Sequence, residues 1–562
     1  MRTAARLMAA TAAGFALALA AALPASPARA GSDDGDALLA AAALSRTIDR
    51  EIDAALAAES IAPVGPSDDA EFLRRATLDV LGVPPTEAEV RAFLSSNEPG
   101  KRAAKIEELL AHPLYGEHLG ERWERLLVQG IRRYRLLDQG ALRDWLAKGF
   151  QEGRGMDAIV RDVLTATGNV LEVPPVAYTV RFRDGGIPAD IAGTTSRLFL
   201  GVQIQCAQCH DHPYEAWKQG DFASFAAFFN LVQPRPADPM DPRAGFVVED
   251  PDPRRLARGR GRGGEGADIR GAVRADPKFL DGSAWKDAEG TTRRAALADW
   301  VTARSNPWFA KAMVNRVWSW MMGRGFVNPV DDFRSDNPPS HPALLDALAL
   351  GFAESGHDVR FLVRAIAGSR AYQRTSRLPE KAPADEVALR RFDRLFARGP
   401  MKPLTADQVF DSVLRVTGMD DAMRSRNRNE IERAKRFLLD QFTSESADDE
   451  GNSAEAWAGT IPQGLLLMNG PLTQIGTRGG GPTGRGDRLG VLARDNSLHR
   501  ILDDTKDTGA RVERLYLTLL GRRPTADEAS EAAAFAARGD GTRGWEDLFW
   551  ALLNSSEFMS NH

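Results

Sequence analysis

The chain contains very little cysteine and no excess of basic charge. Its 562 residues include only two cysteines, and 72 lysines and arginines are outnumbered by 77 aspartates and glutamates, for a formal net charge of -5. A single cysteine pair cannot hold so long a chain together, so the fold depends on an apolar core, for which a hydrophobic fraction of 43% is ample. The acidic balance gives no indication of a nucleic-acid partner.

Long apolar runs are missing too, except near the N-terminus. Arg2 and Arg6 precede an apolar run over residues 7–23, and a small-residue sequence follows at 28–30. This order of a basic region, an apolar region and a small-residue site is typical of a secretory signal peptide. We therefore expect residues 1–30 to be removed and the mature protein to be exported to the periplasm or cell envelope. No later stretch reaches the roughly 18 apolar residues that span a bilayer, so we expect no transmembrane span after cleavage.

Both cysteines lie in one short motif, Cys206-Ala207-Gln208-Cys209-His210. The C-x-x-C-H spacing is the attachment signature of a c-type haem. Two thiols one helical turn apart can add to the two vinyl groups on one edge of the porphyrin, and the adjacent imidazole can reach the iron. We predict that Cys206 and Cys209 attach haem c and that His210 binds the haem iron.

Two other interpretations of this motif stay open. Cys206 and Cys209 can form a disulfide or a reactive dithiol, which an exported location permits. Alternatively, the two thiols, His210 and His212 can hold a metal such as zinc, although four ligands within seven residues are crowded. Asp211 is a further candidate, either as an alternative ligand or as an acceptor that orients an imidazole.

Candidates for a second axial haem ligand, and for a separate site, are scattered. The methionines that could supply a thioether also fit core or loop positions, and they are Met240, Met313, Met321 and Met322. A polar loop near His341 carries three carboxylates that could assemble a metal or acid–base site, namely Asp331, Asp332 and Asp336. A solvated loop explains these carboxylates equally well.

Helical periodicity dominates the chain. We predict a mainly α fold with two multi-helix domains, over residues 36–232 and 286–562. Residues 233–285 between them are rich in proline, glycine and arginine, including the run 258–264, and are expected to form an irregular connector. Local patterns indicate where several helices begin. Ser67 is predicted to cap a helix over 68–81, and two capping boxes are predicted, at Thr86 with Glu89 and at Thr405 with Gln408.

Two further patterns bear on packing. Phenylalanines at helical spacing predict a core-facing surface, or the wall of a porphyrin pocket, and they are Phe222, Phe225, Phe228 and Phe229. The segment 517–528 resembles the segment 78–89, since in both a helix is stopped by Leu-Gly and a proline and threonine start the next helix. A duplicated helix–turn–helix unit is one explanation, and convergent turn chemistry is the other.

Long segments of the chain resemble a known pair of domains. FLRRATLDVLGVPPTEAEV and GVQIQCAQCHDHPYEAWKQGDFASFAAFF are similar to the planctomycete cytochrome-like domain, a PSCyt-type domain of unknown function. RRAALADWVTARSNPWFAKAMVNRVWSWMMGRGFVNPVDDF, NPPSHPALLDALA and FWALLNSSEFMSNH resemble its usual companion, a PSD-type domain of unknown function. The resemblance implies export and a cytochrome-like site, and it implies no established reaction.

Three functional hypotheses follow. The first is an exported protein with one haem c that passes electrons to or from a partner in the envelope. The second is an envelope binding or scaffold protein, in which the cysteine motif is a structural metal or disulfide site or holds no cofactor. The third is an envelope hydrolase, supported only by the compartment, because the sequence contains no G-x-S-x-G, H-E-x-x-H or Walker motif. Whether the protein is an enzyme, and its oligomeric state, are not indicated.

Overall fold

The computed structural model describes residues 33–128, 139–251, 275–419 and 496–562, apart from positions 289, 382, 384 and 540, together with Lys435. Helices predominate in these residues, which confirms the mainly α prediction. Within the same residues, no helix combines the length and the apolar character needed to cross a bilayer. The expected signal peptide (1–30) and the arginine–glycine run (258–264) lie outside the described residues.

In its described residues, the first part of the chain is built from ten α-helices and four short turns of other helical types. The α-helices are α1 (Asp33–Ala58), α2 (Asp69–Leu81), α3 (Glu87–Ser95), α4 (Lys101–Ala111), α5 (Pro113–Val128), α6 (Gln139–Gln151), α7 (Met156–Thr165), α8 (Val176–Val180), α9 (Ala189–Thr195) and α10 (Gln219–Ala226). The other turns are a π-helical turn (Ser196–Leu200) and three 3₁₀ turns (Gln205–Gln208, Ala227–Phe229 and Pro242–Ala244).

A small antiparallel sheet closes this part of the chain. Its strands are β1 (Gly168–Asn169), β2 (Gln233–Pro236) and β3 (Phe246–Glu249), in the order β1-β3-β2. Val248 of β3 pairs with Gly168 on one side and with Pro234 on the other. Strands β2 and β3 lie in the stretch expected to be an irregular connector. The proline- and glycine-rich composition of that stretch did not predict them, because strand pairing here depends on distant β1.

The second part also contains ten described α-helices. They are α11 (Arg293–Val301), α12 (Phe309–Met322), α13 (Pro342–Glu354), α14 (Val359–Ala367), α15 (Glu386–Arg394), α16 (Ala406–Thr417), α17 (Ser497–Asp504), α18 (Thr508–Leu519), α19 (Ala526–Ala536) and α20 (Arg543–Leu553). Two short strands, β4 (Lys402–Pro403) and β5 (Ser560–Asn561), form a separate antiparallel pair.

Helix starts follow the local patterns closely. The capping boxes at Thr86 with Glu89 and at Thr405 with Gln408 are confirmed, and Thr525 forms a third one with Glu528. The cap of α2 differs from the prediction. Asp68, rather than Ser67, accepts a hydrogen bond from the Glu71 amide at 2.8 Å, because the helix begins one residue later than expected.

One cluster of buried apolar side chains runs through both parts of the chain. Ile48 of α1 and Phe72 of α2 belong to the same cluster as Trp318 of α12 and Leu345 of α13. The predicted core phenylalanines are buried in this cluster as well, at positions 222, 225, 228 and 229. A second, smaller cluster joins α16 to the helices α17–α20. Helices from the two parts of the chain are therefore packed together.

Helix α2 links distant segments through buried charged side chains. Arg75 donates to Glu71 Oε1 at 2.5 Å and to the Arg374 carbonyl at 2.9 Å. The buried Arg74 donates to the Phe558 carbonyl at 2.9 Å and to the Ser560 carbonyl at 3.3 Å. Burial lowers the pKa of Arg74 to about 10, yet the guanidinium stays charged at neutral pH. Both arginines thus hold segments that lie hundreds of residues later in the chain.

The same helix carries a buried carboxylate, Asp79. Its oxygens accept hydrogen bonds from the Tyr372 hydroxyl and the Asn561 amide, both at 2.7 Å, and pair with Lys402 Nζ at 2.6 Å. Burial lowers the pKa of Lys402, and the charge of Asp79 opposes that shift. Asp79 therefore joins β4, β5 and the segment after α14 at one point.

The two similar segments, 78–89 and 517–528, have the same local structure and touch each other. In each, a helix ends near a glycine with positive φ, 77° at Gly82 and 71° at Gly521. Arg514 of α18 donates to Glu87 of α3 at 3.1 Å, and Arg91 of α3 donates to Glu513 of α18 at 3.3 Å. The two segments are thus similar in structure as well as in sequence, and two ion pairs join helices α3 and α18.

Candidate functional site

The two cysteines lie on one short 3₁₀ turn at the protein surface. The turn spans Gln205–Gln208, and Cys209 continues it with φ -103° and ψ -27°. Side chains three residues apart eclipse one another on such a turn, so Cys206 and Cys209 project on the same side. Both cysteines are free and exposed, whereas Ala207 between them is fully buried at 0% exposure. The buried alanine anchors the turn and leaves both thiols accessible.

His210 is oriented by the peptide that follows it. Its Nδ1 lies 2.7 Å from the Asp211 carbonyl oxygen. A carbonyl only accepts hydrogen bonds, so the ring proton of the neutral imidazole is assigned to Nδ1 and the lone pair to Nε2. The ring is exposed. This tautomer is the one that presents Nε2 to a metal ion, with Nδ1–H held by a backbone acceptor.

Asp211 and His212 mainly stabilise the turn. The Asp211 carboxylate accepts from the Gln219 amide at 3.0 Å and pairs with Lys218 at 3.2 Å, and these contacts lower the pKa of Asp211. His212 Nδ1 accepts from the backbone amides of Tyr214 and Glu215, at 3.2 and 3.0 Å. The proton of a neutral His212 ring therefore lies on Nε2. Asp211 orients His210 through its carbonyl oxygen, and its carboxylate is engaged elsewhere.

A glutamine at the start of α10 closes the cysteine turn. The Gln219 side-chain amide donates to the carbonyl oxygens of Gln208 and Cys209, at 3.3 and 3.2 Å. Its backbone amide is the donor that Asp211 accepts. Gln219 thus provides donors for the carbonyls at the end of the 3₁₀ turn and for the Asp211 carboxylate in the loop that follows. These contacts fix the backbone that carries Cys209 and His210.

Residues of the second part of the chain form hydrogen bonds with the segments before and after the cysteine turn. The Phe333 amide donates to the Gly201 carbonyl at 2.9 Å, ahead of the turn. After the turn, Glu215 Oε1 accepts from both the amide and the hydroxyl of Ser335, at 2.9 and 2.7 Å. Hydrogen bonding from Ser335 lowers the pKa of Glu215. Gly201 has φ 70°, and a Cβ there would lie 2.6 Å from the Phe333 ring. Glycine is therefore required at this junction.

Comparison with known families matched two regions of the chain. Residues 47–234 match PSCyt2, described as a protein of unknown function (DUF1549), and residues 293–456 match PSD1, described as a protein of unknown function (DUF1553). The chain therefore contains a PSCyt2 region followed by a PSD1 region. The order of the two domains is the predicted one. No curated protein and no solved structure matched the chain. The cysteine turn belongs to the PSCyt2 region, and the loop that supports it belongs to the PSD1 region.

The methionines considered as second axial ligands fall into two groups. Met313, Met321 and Met322 are buried in the PSD1 region on α12, with exposures of 4% or less. Their side chains pack in the shared core, so they are not at the surface where the cysteine turn lies. Met240 is 90% exposed, between β2 and β3. Of the four, Met240 alone has a solvent-accessible thioether.

The carboxylates near His341 do not assemble around it. Asp331 pairs with Arg197 at 3.1 Å, and both Asp332 and Asp336 pair with Arg334, at 3.0 and 3.4 Å. Burial raises the pKa of Asp332, whereas Arg334 opposes this shift. In the part of the chain that the structure describes, no group of three or more His, Cys, Asp and Glu side chains is arranged to hold a metal ion.

Sequence reasoning missed a polar cavity between the two domains. It is lined by His118, Glu121, Arg122, Arg125, Thr405, Asp407, Gln408 and Asp411. Lys435 Nζ lies 2.5 Å from Glu121, 2.6 Å from Asp411 and 3.8 Å from Asp407. Burial lowers the pKa of His118 to about 3, so this histidine is neutral at physiological pH.

The charges around this cavity balance. The three carboxylates are those of Glu121, Asp407 and Asp411. The three cations are Lys435, Arg122 and Arg125, and Arg125 pairs with Asp407. Such a network ties α5 of the PSCyt2 region to α16 of the PSD1 region. The available sequence signal was the spacing of polar residues on one face of each helix, three apart on α5 (His118 and Glu121) and four apart on α16 (Asp407 and Asp411).

Proposed function

We propose that Cys206, Cys209 and His210 bind one c-type haem and that the protein acts as an electron carrier in the cell envelope after export. The observation that carries this proposal is the geometry of the turn. Two free, exposed thiols lie on one side of a 3₁₀ turn, and the adjacent imidazole is bonded through Nδ1 so that Nε2 is available. These three residues fit the donor set of a haem c site.

The covalent chemistry needs reduced thiols. Each thiol adds across one vinyl double bond of the porphyrin, so that sulfur bonds to one vinyl carbon and the hydrogen goes to the other. No oxidant is consumed. Both cysteines are free in the structure, as this addition requires. Once bound, haem c supplies one-electron exchange at its iron.

The residues around the turn have supporting roles. The Asp211 carbonyl holds the His210 ring in the ligating tautomer. Gln219 and Ala207 fix the backbone on which the two thiols stand. The turn is open to solvent, so a protein partner can approach the site directly. A soluble or membrane-anchored redox protein of the envelope is the class of partner that this exposure suits.

The test is covalent retention of porphyrin. The full-length precursor is expressed together with a haem c maturation system, purified, denatured and examined for porphyrin absorbance on the unfolded chain. We expect retained colour in the wild type and in Gln208→Ala, an exposed neighbour, and loss of colour in Cys206→Ala/Cys209→Ala. The variant His210→Ala is expected to change the axial-ligand spectrum. Colourless wild-type protein, in cells where a known cytochrome c matures normally, would overturn the proposal.

A second candidate is a binding or scaffold protein whose cysteine pair is structural. The spacing of Cys206 and Cys209, three residues apart on one turn, is also that of a C-x-x-C disulfide. A disulfide between them would lower the intact mass of the chain by two hydrogens, and bound zinc would be stoichiometric by elemental analysis. Either result in colourless protein supports this second candidate.

A further inference from the structure

A loop of the PSD1 region, residues 327–337, is held rigidly against helix α12. The Asn315 side chain of α12, which is fully buried, donates to the Val327 carbonyl at 2.9 Å and accepts from the Val327 amide at 3.1 Å. Near the other end of the loop, the Asn337 side-chain amide donates to the Asp332 carbonyl at 3.0 Å. The loop is therefore fixed to the core of the PSD1 region and is also braced within itself.

The same loop contacts the PSCyt2 region on both sides of the cysteine turn. Before the turn, Asp331 pairs with Arg197 at 3.1 Å, and the Gly201 carbonyl accepts the hydrogen bond described above. After the turn, the amide and the hydroxyl of Ser335 both donate to Glu215 Oε1. The backbone that carries both thiols is therefore tied at each end to one rigid loop.

Contacts continue from Glu215 toward the His210 ring. The backbone amide of Glu215 donates to His212 Nδ1 at 3.0 Å, and the backbone amide of His212 donates to the Trp217 carbonyl at 2.8 Å. The His212 amide and the Asp211 carbonyl belong to the same peptide group. A peptide group is planar, so contacts that fix its N–H also fix the direction of its C=O. This C=O is the acceptor that lies 2.7 Å from His210 Nδ1.

We infer that Ser335 and Glu215 are positioning residues for His210. Ser335 holds Glu215 in place, and with it the turn that follows His212. That turn fixes the peptide whose carbonyl, from Asp211, keeps the ring proton on Nδ1 and leaves Nε2 for a metal ion. The inference rests on the proposed function for the iron that His210 binds, whereas the ring orientation belongs to the cofactor-free chain. The PSD1 region thus takes part in the site, although the three proposed haem-binding residues all belong to the PSCyt2 region.

Contacts within the PSCyt2 region share this task. The Asp211 carboxylate is also held by Gln219 and Lys218, at 3.0 and 3.2 Å. These contacts restrain the side chain of Asp211 rather than its carbonyl, and they remain when the PSD1 loop no longer holds Glu215. Loss of the loop contact is therefore expected to weaken the orientation of the imidazole without abolishing it.

The test measures the tautomer of His210 by nuclear magnetic resonance. The full chain is produced without a haem c maturation system, with nitrogen-15 in the imidazole rings of its 8 histidines. Spectra are recorded at about pH 8.5, two units above the ordinary pKa of histidine. The signal of His210 is the one that His210→Gln removes. We expect the Nδ1–H tautomer to predominate in the folded wild type, and the ratio of Nδ1–H to Nε2–H to be clearly lower for every histidine in urea.

Variants at Glu215 and Ser335 separate positioning from a general loss of structure. Glu215→Ala removes the acceptor of both Ser335 donors, so we expect the tautomer ratio of His210 to fall about three-fold. Glu215→Gln retains a side-chain oxygen that can accept from both donors, and the wild-type ratio is expected. Ser335→Ala retains the amide donor but loses the hydroxyl, and an intermediate ratio is expected.

A matched control is Glu172→Ala, which changes an exposed glutamate of the PSCyt2 region and is expected to leave the ratio unchanged. Circular dichroism checks that each variant is folded. A wild-type ratio equal to that in urea, an unchanged ratio in Glu215→Ala, or a ratio in Glu215→Gln as low as in Glu215→Ala would overturn the inference. Failure of the proposed function is a separate result, because colourless protein in the haem-retention test leaves the tautomer of the cofactor-free chain unaffected.

Discussion

Helix α2 and the cysteine turn are both rich in polar residues of the PSCyt2 region, but they use these residues differently. On α2, Glu71, Arg74 and Arg75 are buried, and each is bonded to other parts of the protein. On the turn, Cys206, Cys209 and His210 are exposed, and the thiols have no partner. The side chains of α2 are therefore committed to holding the fold, whereas those of the turn remain available for chemistry.

This difference shows that charged residues in a family-like segment need not mark an active site. The pattern R-R-A-T-L-D in α2 could pass for a catalytic motif, because it combines arginines with a carboxylate. In the structure, Arg75 and Asp79 bond to the PSD1 region and to later segments. The functional candidate is instead the cysteine turn, where the thiols are exposed and make no contact that holds the fold.

The largest loss of stability is expected when a buried charge is removed from α2. Arg75→Met leaves Glu71 buried without its ion-pair partner and removes the donor to the Arg374 carbonyl. Breaking one side of a buried pair costs about 3–5 kcal/mol. We expect a loss of that size in the free energy of unfolding, measured by urea denaturation. Arg390→Met, which breaks an exposed pair, is the control, and a similar loss in both variants would contradict the role given to α2.

The next largest effect concerns pH. The pKa of His118 is lowered by burial to about 3, against an ordinary value of 6.5. Between these values the unfolded chain binds more protons than the folded one, so the free energy of unfolding falls as pH decreases below about 6.5, by up to about 1.4 kcal/mol per pH unit. His118→Gln is expected to reduce this slope by up to one proton in urea denaturation between pH 6.5 and pH 4. An unchanged slope would show that His118 is accessible to protons in the folded state.

A smaller effect is expected where the PSD1 loop supports the cysteine turn. Glu215→Ala removes the acceptor of two hydrogen bonds from Ser335. Because this contact is half-exposed, we expect a loss of about 1 kcal/mol or less. Amide hydrogen exchange over residues 205–219 should become faster. Ser335→Ala should have a related effect, and the double variant should lose less than the sum of the two single losses. Fully additive losses would mean that the two residues act independently.

The smallest effect is expected in the turn itself. Cys206→Ser/Cys209→Ser changes two exposed side chains that make no packing contact in the core. Surface substitutions of this kind alter stability by no more than about 0.5 kcal/mol. We therefore expect unchanged urea denaturation for the protein without cofactor. A loss of more than about 2 kcal/mol would show that the thiols belong to the fold, and would remove the contrast with α2.

Features that depend on neighbours three or four residues apart could be predicted from the sequence. The capping boxes at Thr86 and Thr405 are of this kind, because cap and helix amide lie within one turn. The buried phenylalanines around Phe225 follow from helical spacing in the same way. The projection of Cys206 and Cys209 on one side of a turn also follows from their separation.

Features that depend on distant contacts could not be predicted. Strand β3 forms because Val248 meets Gly168, and nothing in its proline- and glycine-rich surroundings indicates this pairing. The burial of Arg74 is equally hidden, since its acceptors include the carbonyls of Phe558 and Ser560. Asp211 was predicted to be able to orient an imidazole, but a sequence does not show that its carbonyl, not its carboxylate, makes this contact with His210.

The contacts of Arg74 also make the packing of α2 depend on the last residues of the chain. Its guanidinium reaches the Leu519 carbonyl, 445 residues further along the chain, and carbonyls of the last strand. Without those residues, these acceptors are missing for a cation that the folded protein buries. The PSCyt2 region therefore reaches its final packing only when the end of the chain has joined the fold, and a chain that stops before residue 519 lacks these acceptors for Arg74.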